Sequence, residues 1–234
     1  MQYVTATMET KIFTWLGREF VEISGEAKAG ATVESATAEL VERFEAALKF
    51  HNLSLDNTAR IRVYGRDRQG RTDATMARSK ILSGSRRAAS SSFISPEWFD
   101  SNGSGGLELW ALRPANATAQ RKPVDFEPAR NYLCYLKYDS LLFFSGFTSE
   151  AATLAQQVKD VLGTLDNAFA RAKSDWSKVQ KLALLLQRGS NVDEVRQVLT
   201  AANRLNVPEI EFTFVDGFAG EKYLVEIEAT ALLS

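Results

Sequence analysis

Almost none of the side chains that build metal centres or covalent staples are present. The chain carries one histidine, His51, and one cysteine, Cys134. A single cysteine excludes an intrachain disulfide and fits a reducing compartment. A single histidine leaves no cluster for zinc or non-haem iron, so no metal and no cofactor is expected. No uninterrupted apolar run approaches a membrane span, and Met1-Gln2-Tyr3-Val4-Thr5 lacks the basic start of a signal peptide. A cytoplasmic location without membrane contact is the expectation. Excess charge of either sign is also missing: 28 Lys plus Arg stand against 29 Asp plus Glu, a net charge of −1. That balance argues against a surface built to neutralise a phosphate backbone, so no nucleic-acid partner is expected.

What the chain does have is one pattern written twice. Ser24-Gly25 recurs as Ser145-Gly146, each time closing a strand-like apolar run. At the same offset Val33, Thr37, Leu40, Val41, Phe44 and Leu48 meet Leu154, Val158, Val161, Leu162, Leu165 and Phe169. Near the ends of the halves, Leu107-Glu108-Leu109-Trp110-Ala111 meets Val225-Glu226-Ile227-Glu228-Ala229. The period is far too long for a solenoid unit and indicates a duplicated domain.

The first half, residues 1–113, opens with strand-like segments over 3–14 and 19–24, rich in Val, Ile, Thr and Phe. Apolar residues at 33, 37, 40, 41, 44 and 48 give an amphipathic helix over 33–50. Residues 59–65 read as a strand, 67–71 as a polar loop and 72–82 as a second helix. The closing strands fall at 90–94 and 106–112. The stretch 113–130 holds three of the five prolines and little apolar periodicity, which predicts a linker (114–130) before the second copy at 131–234. There the order repeats: strands at 132–137 and 141–145, a helix at 153–173, a strand at 179–187, a helix at 192–205, and strands at 209–215 and 222–232. Each half is a mixed sheet with two helices on one face, an α+β layout.

The strand ending in Ser-Gly, the long amphipathic helix, the next strand and helix, the arginine-led strand and the final Val-Glu-Ile-Glu-Ala strand resemble the Rid/YjgF family of reactive-intermediate deaminases. The resemblance covers nearly the whole chain as two tandem copies. It implies a chorismate-mutase-like α+β fold, sheets packed in a three-fold barrel, and ligand clefts between neighbouring domains. It also implies hydrolysis of imines and enamines of 2-oxo acids to the keto acid and ammonia. Carried onto this sequence, the carboxylate-binding arginine falls on Arg87 or its neighbour Arg86, and the water-positioning glutamate on Glu108. Ser24 and Gly25 fall on the strand end that lines the family cleft. A guanidinium grips a carboxylate through two parallel charge-assisted bonds, and a nearby carboxylate can orient or deprotonate water.

The departures are specific. The first half carries an insertion over 95–106, with Trp98-Phe99 fitting a lid or a subunit contact. In the second half only acids stand where the arginine belongs, in Val207-Pro208-Glu209-Ile210-Glu211-Phe212, although Glu226 survives. The family tyrosine falls on Lys11 in the first copy and on Tyr132 in the second. A composite site of Arg87 and Glu108 from one copy with Tyr132 from another follows as one arrangement.

Other features are ordinary. Ser90-Ser91-Ser92 lacks a G-x-S-x-G context and a nearby histidine. Gly103-Ser104-Gly105-Gly106 lacks the Lys-Ser/Thr and helix of a phosphate cradle. The resulting expectation is a hydrolytic deaminase of a small carboxylated substrate, with the first copy active, the second architectural, and a homotrimer giving six domains. The alternatives are a non-catalytic ligand-binding or scaffold protein, and an amide or ring hydrolase of a catabolic pathway on the same fold.

Overall fold

The computed structural model describes residues 8–233. The expected first strand reaches back to Tyr3, and its residues 3–7 lie outside the described ones. In the first copy, β1 (Met8–Trp15), β2 (Arg18–Glu26), β3 (Thr58–Gly65), β4 (Ala89–Ile94) and β5 (Gly105–Leu112) accompany helices α1 (Val33–Phe50) and α2 (Arg68–Ile81). The second copy has β6 (Arg121–Asp125), β7 (Leu133–Tyr138), β8 (Leu141–Phe144), β9 (Val179–Gln187), β10 (Glu209–Val215), β11 (Gly217–Phe218) and β12 (Val225–Leu232), with helices α3 (Leu154–Ala172) and α4 (Val192–Ala201). No helix among the described residues is long and apolar enough to cross a membrane.

The repeat extends to the chemistry of the helix ends. Thr32 caps α1 by accepting from Ser35 N–H at 3.2 Å, and Thr153 caps α3 by accepting from Gln156 N–H at 3.3 Å. Each satisfies one of the donors left free at a helix start. Past the other end, Asn52 (φ 54°) and Lys173 (φ 55°) occupy the left-handed region in corresponding places.

Two six-stranded mixed sheets result, ordered β1-β2-β5-β3-β4-β11 and β10-β9-β12-β8-β7-β6. The apolar positions of α1 and α3 dictate which sheet face they cover. Leu40, Val41 and Phe44 bury against Val21, Ile23, Ile61 and Leu109, while Val158, Val161 and Leu165 bury against Leu142, Leu182, Leu184 and Ile227. The remaining faces cover each other: Phe20, Ala59, Ala89 and Leu112 meet Leu133, Leu136, Leu141 and Phe143. The architecture is α+β, two tandem domains of one type, as the periodicity implied.

Three connections differ from the sequence-based expectation, and the last two tie the copies together. The stretch predicted as a linker contains β6, which pairs antiparallel with β7 despite Pro123, as an edge strand permits. The second copy lends β11 to the first sheet, where Gly217 and Phe218 pair with Ile94 and Phe93. The insertion packs its two aromatic residues at the seam between the copies. Trp98 and Phe99 pack on Tyr64 and Phe93 in a cluster with Leu185, Val215 and Phe218 of the second copy. Aromatic pairs in such geometry hold the domain seam through area and ring electrostatics.

Below that cluster the seam is charged. Glu228 of β12 takes ion pairs from Arg62 at 2.8 Å and Arg60 at 3.0 Å, both on β3, and Arg62 also reaches Glu108 at 3.3 Å. Ser91 adds a hydrogen bond to Glu228.

Candidate active site between the two copies

The seam opens at one end into a cleft of about 940 Å³. The first copy contributes Arg71 and Arg78 from α2 and Ser92 from β4; the second contributes Tyr132, Gly146 and Glu226. Two backbone-directed contacts set this junction. Gly146 N–H donates to the Ser90 carbonyl at 3.0 Å, and Ser90 N–H donates to Ser145 Oγ at 3.0 Å. The Ser-Gly pair of the second copy thus docks on the strand that follows the arginine helix of the first.

Glu226 projects across this junction. A Cβ added at Gly146 would collide with its carboxyl group, so only glycine leaves room for the side chain. The Ser92 backbone N–H of the facing copy lies beside the Glu226 carboxyl and favours its charged form. Burial, reinforced by the negative charge of Glu228 and opposed by Arg71, pushes Glu226 up to about 8. Glu226 is therefore a neutral acid at neutral pH. Two positions along the same strand, burial pushes Glu228 the same way, but Arg60 and Arg62 outweigh it and hold that carboxylate at about 2.

Opposite Glu226 stands α2. Asp67 caps it through Gly70 N–H at 2.7 Å, so the segment predicted as a polar loop is its first turn. Arg71 Nη2 donates to Ser92 Oγ. Neither Arg71 nor Arg78 forms an ion pair with a carboxylate among the described residues, and the Nε of each is buried without a hydrogen bond. Burial lowers the proton affinity of both guanidiniums, and for Arg78, pushed down to about 10, Arg71 and Arg87 add to the effect. Uncompensated cations at the wall of a cleft are a recognition surface for an anion. On the other side, Arg130 donates to the Tyr132 hydroxyl at 3.0 Å and stacks over Phe126.

Of the residues singled out from sequence, Tyr132 lines this cleft and five others do not. Arg87 pairs with Asp125 at 2.7 Å and Arg86 with Asp56 at 3.0 Å, which occupies both guanidiniums. Glu108 faces Arg62 in the charged seam. Ser24 sits opposite Glu108 in the β2–β5 ladder, and the Gly25 carbonyl accepts from Tyr64 Oη at 3.1 Å. The repeat equivalents of the last three, Glu226 and Ser145-Gly146, lie at the junction. The sequence pairs Arg87 with Glu108 inside one copy, whereas the guanidinium that lines the cleft with Glu226, that of Arg71, comes from the other copy. The available signal was Arg71 and Arg78, seven apart on a helix that Asp67 starts, flanking buried Ala74.

Comparison with known proteins agrees with this architecture. Residues 123–233 match the family described as Endoribonuclease L-PSP. A solved chorismatase structure superimposes over 94% of this chain and 79% of its own, with a TM-score of 0.63 and 14% identity. A YjgF/YER057c/UK114 family member from Mycobacterium tuberculosis matches 49% of this chain with all of its own, at 25% identity and a TM-score of 0.44. A YjgF-family protein from Neisseria meningitidis covers 49% of this chain with 96% of its own, at 24% identity and a TM-score of 0.43. Curated proteins gave no match. The resemblance seen in the repeat holds: the second copy carries the family match, and the chain has the fold of two tandem YjgF-type domains.

Proposed function

We propose that the chain is a hydrolase of small 2-substituted acrylates, enamines or enol ethers that carry a carboxylate on the double bond. One observation carries the reading: a buried carboxylic acid, neutral up to about pH 8, faces a cleft walled by Arg71 and Arg78, which have no counter-ion among the described residues. Arg71, steadied by Ser92, binds the substrate carboxylate. Glu226 delivers its proton to the terminal carbon of the double bond, leaving an iminium or oxocarbenium ion beside the carboxylate. Water adds to that cation and returns its proton to Glu226. Collapse of the adduct releases the 2-oxo acid and either ammonia or an alcohol. A general acid contributes most when its proton affinity lies near the working pH, as that of Glu226 does.

The deaminase expected from the sequence is the nitrogen branch of this reaction. The fold shared with a chorismatase supports the oxygen branch as its counterpart. The residues invoked in this reading, Arg71, Ser92 and Glu226, all belong to one chain.

The test is pyruvate formation from 2-aminoacrylate generated in situ and from 2-alkoxyacrylates, comparing wild type with Glu226→Gln. Acceleration in either series that disappears in the variant supports the reading. Rates equal to buffer in both series would discard it and favour a ligand-binding role.

A further inference from the structure

Strand β1 reads Met-Glu-Thr-Lys-Ile-Phe-Thr-Trp, without proline or glycine. Among the described residues it pairs only with β2, in an uninterrupted register, so its other edge is open. Open edges invite another strand, and proteins blunt them with proline, short length, bulges or charge. The other sheet edges follow that rule: β11 has two residues, β6 carries Pro123, and the charges of β10 are two acids, Glu209 and Glu211. β1 has full length and no bulge, and its two charges, Glu9 and Lys11, are opposite in sign and share one face. On the other face Ile12 is 52% exposed. Phe50, 87% exposed at the end of α1, lines a groove of about 460 Å³ with Met8, Thr10, Ala46 and Ala47.

Backbone geometry decides how a strand would add. The turn Leu16-Gly17, with φ 52° and 70°, is the two-residue mirror-image type that joins hairpins, so Trp15 and Arg18 form a hydrogen-bonded pair. Bonded pairs alternate along an antiparallel ladder. Phe13, Lys11 and Glu9 therefore direct their N–H and C=O groups at β2, while Met8, Thr10 and Ile12 direct theirs at the open edge. The next ladder agrees, since the Glu19 carbonyl accepts from Arg113 N–H at the end of β5 and so points away from β1.

A second β1, antiparallel about a two-fold axis at Thr10, matches this pattern. Thr10 faces Thr10 of the partner subunit and Met8 faces Ile12 of the partner subunit, each pair exchanging two backbone bonds. On the opposite face Glu9 meets Lys11 of the partner subunit, twice by symmetry. Moving the axis one residue either way sets Glu9 against Glu9 or Lys11 against Lys11, and like charges directly opposite are destabilising. We propose that two chains associate through β1 in this register, an isologous dimer in which the two first-copy sheets join edge to edge. Ile12 of the partner subunit then covers the groove that Met8 shares with Phe50. The cleft draws on β4 and α2, towards the other edge of the first sheet, so the dimer leaves both clefts clear.

Sedimentation equilibrium of the whole chain tests the dimer independently of the hydrolase reading. The contact is small for a specific interface, below about 1,200 Å², so dissociation in the micromolar range is expected. Wild type should pass from monomer to dimer as concentration rises through that range. Lys11→Glu sets acid against acid in both pairs and should weaken the dimer by about tenfold or more. The exchange Glu9→Lys with Lys11→Glu should restore it. Thr10→Pro removes the N–H at the axis, which an edge strand tolerates, and should leave monomers with wild-type turnover. Should that variant fail to fold, the charge series decides alone. A wild type that stays monomeric at hundreds of micromolar or assembles beyond a dimer, the homotrimer included, would overturn the proposal. So would a dimer indifferent to Lys11→Glu or not restored by the exchange.

Discussion

Glu108 and Glu226 occupy matching places on the closing strands of the two copies, and their surroundings have diverged. Glu226 meets a cleft, the Ser92 backbone and the arginine helix of the other copy. Glu108 meets Arg62 in a seam crowded with Glu22, Glu228 and Glu211. The same residue on the same strand is thus an acid facing a cleft in one copy and a member of a structural ion-pair cluster in the other. In this fold a strand glutamate acquires chemistry from the element opposite it. Only the second copy has α2 of its neighbour in that place.

Exchanging the two glutamates for glutamine gives the largest expected separation. Glu226→Gln should lower kcat/KM by about 10²-fold or more, the usual share of a general acid, whereas Glu108→Gln should change it by less than about threefold. Equal losses in steady-state assays of the two variants would erase the distinction between the copies.

Breaking the seam comes next. Glu228→Gln strands Arg60 and Arg62 with Glu108 as their remaining carboxylate, and should cost about 3–5 kcal/mol in denaturant unfolding. It also removes a negative charge that helps keep Glu226 protonated, so the alkaline limb of activity should move to lower pH.

The pH dependence sharpens the contrast within one strand. Glu226 has a native value of about 8, above its ordinary 4.5, so the native state holds a proton that the unfolded chain has released. Its contribution to stability therefore falls as pH rises from the ordinary value towards about 8. Glu228, held at about 2, behaves in the opposite sense, and its contribution is lost as pH falls through that value. The melting-temperature advantage of Glu226→Gln over wild type should accordingly grow between pH 5 and pH 9. Turnover by wild type should decline above about pH 8. A flat difference in melting temperature would contradict a neutral Glu226.

The smallest effect is reserved for the residue the sequence favoured as anchor. Arg87→Ala removes a partly exposed pair with Asp125 and should cost less than about 1 kcal/mol, with little change in KM. Arg71→Met should instead raise KM by about tenfold or more. The reverse ranking in steady-state kinetics would restore Arg87 as the carboxylate anchor.

The duplication, the strand and helix order and the two-layer build were legible because they rest on local rules. Apolar spacing at 33, 37, 40, 41, 44 and 48 can bury only as a helix stripe. Ser-Gly at the same offset marks the same strand end in both copies. Tyr132, also singled out by the sequence, lines the cleft between the copies. Arg71 and Arg78 did not. Recognising them required knowing that Asp67 starts a helix where a loop was read, and that this helix faces the other copy.

By itself, then, the sequence determined what each copy is: which residues turn inward, where the long helices α1 and α3 begin and that the pattern occurs twice. Those are properties of neighbours along the chain, set by side-chain periodicity and capping. Tertiary structure alone decided which glutamate faces guanidiniums and which faces an ion-pair cluster. That choice depends on charges brought together across the seam between sheets, from residues as far apart as Arg71 and Glu226, where burial and unpaired charge reset proton affinities by far more than any local context does.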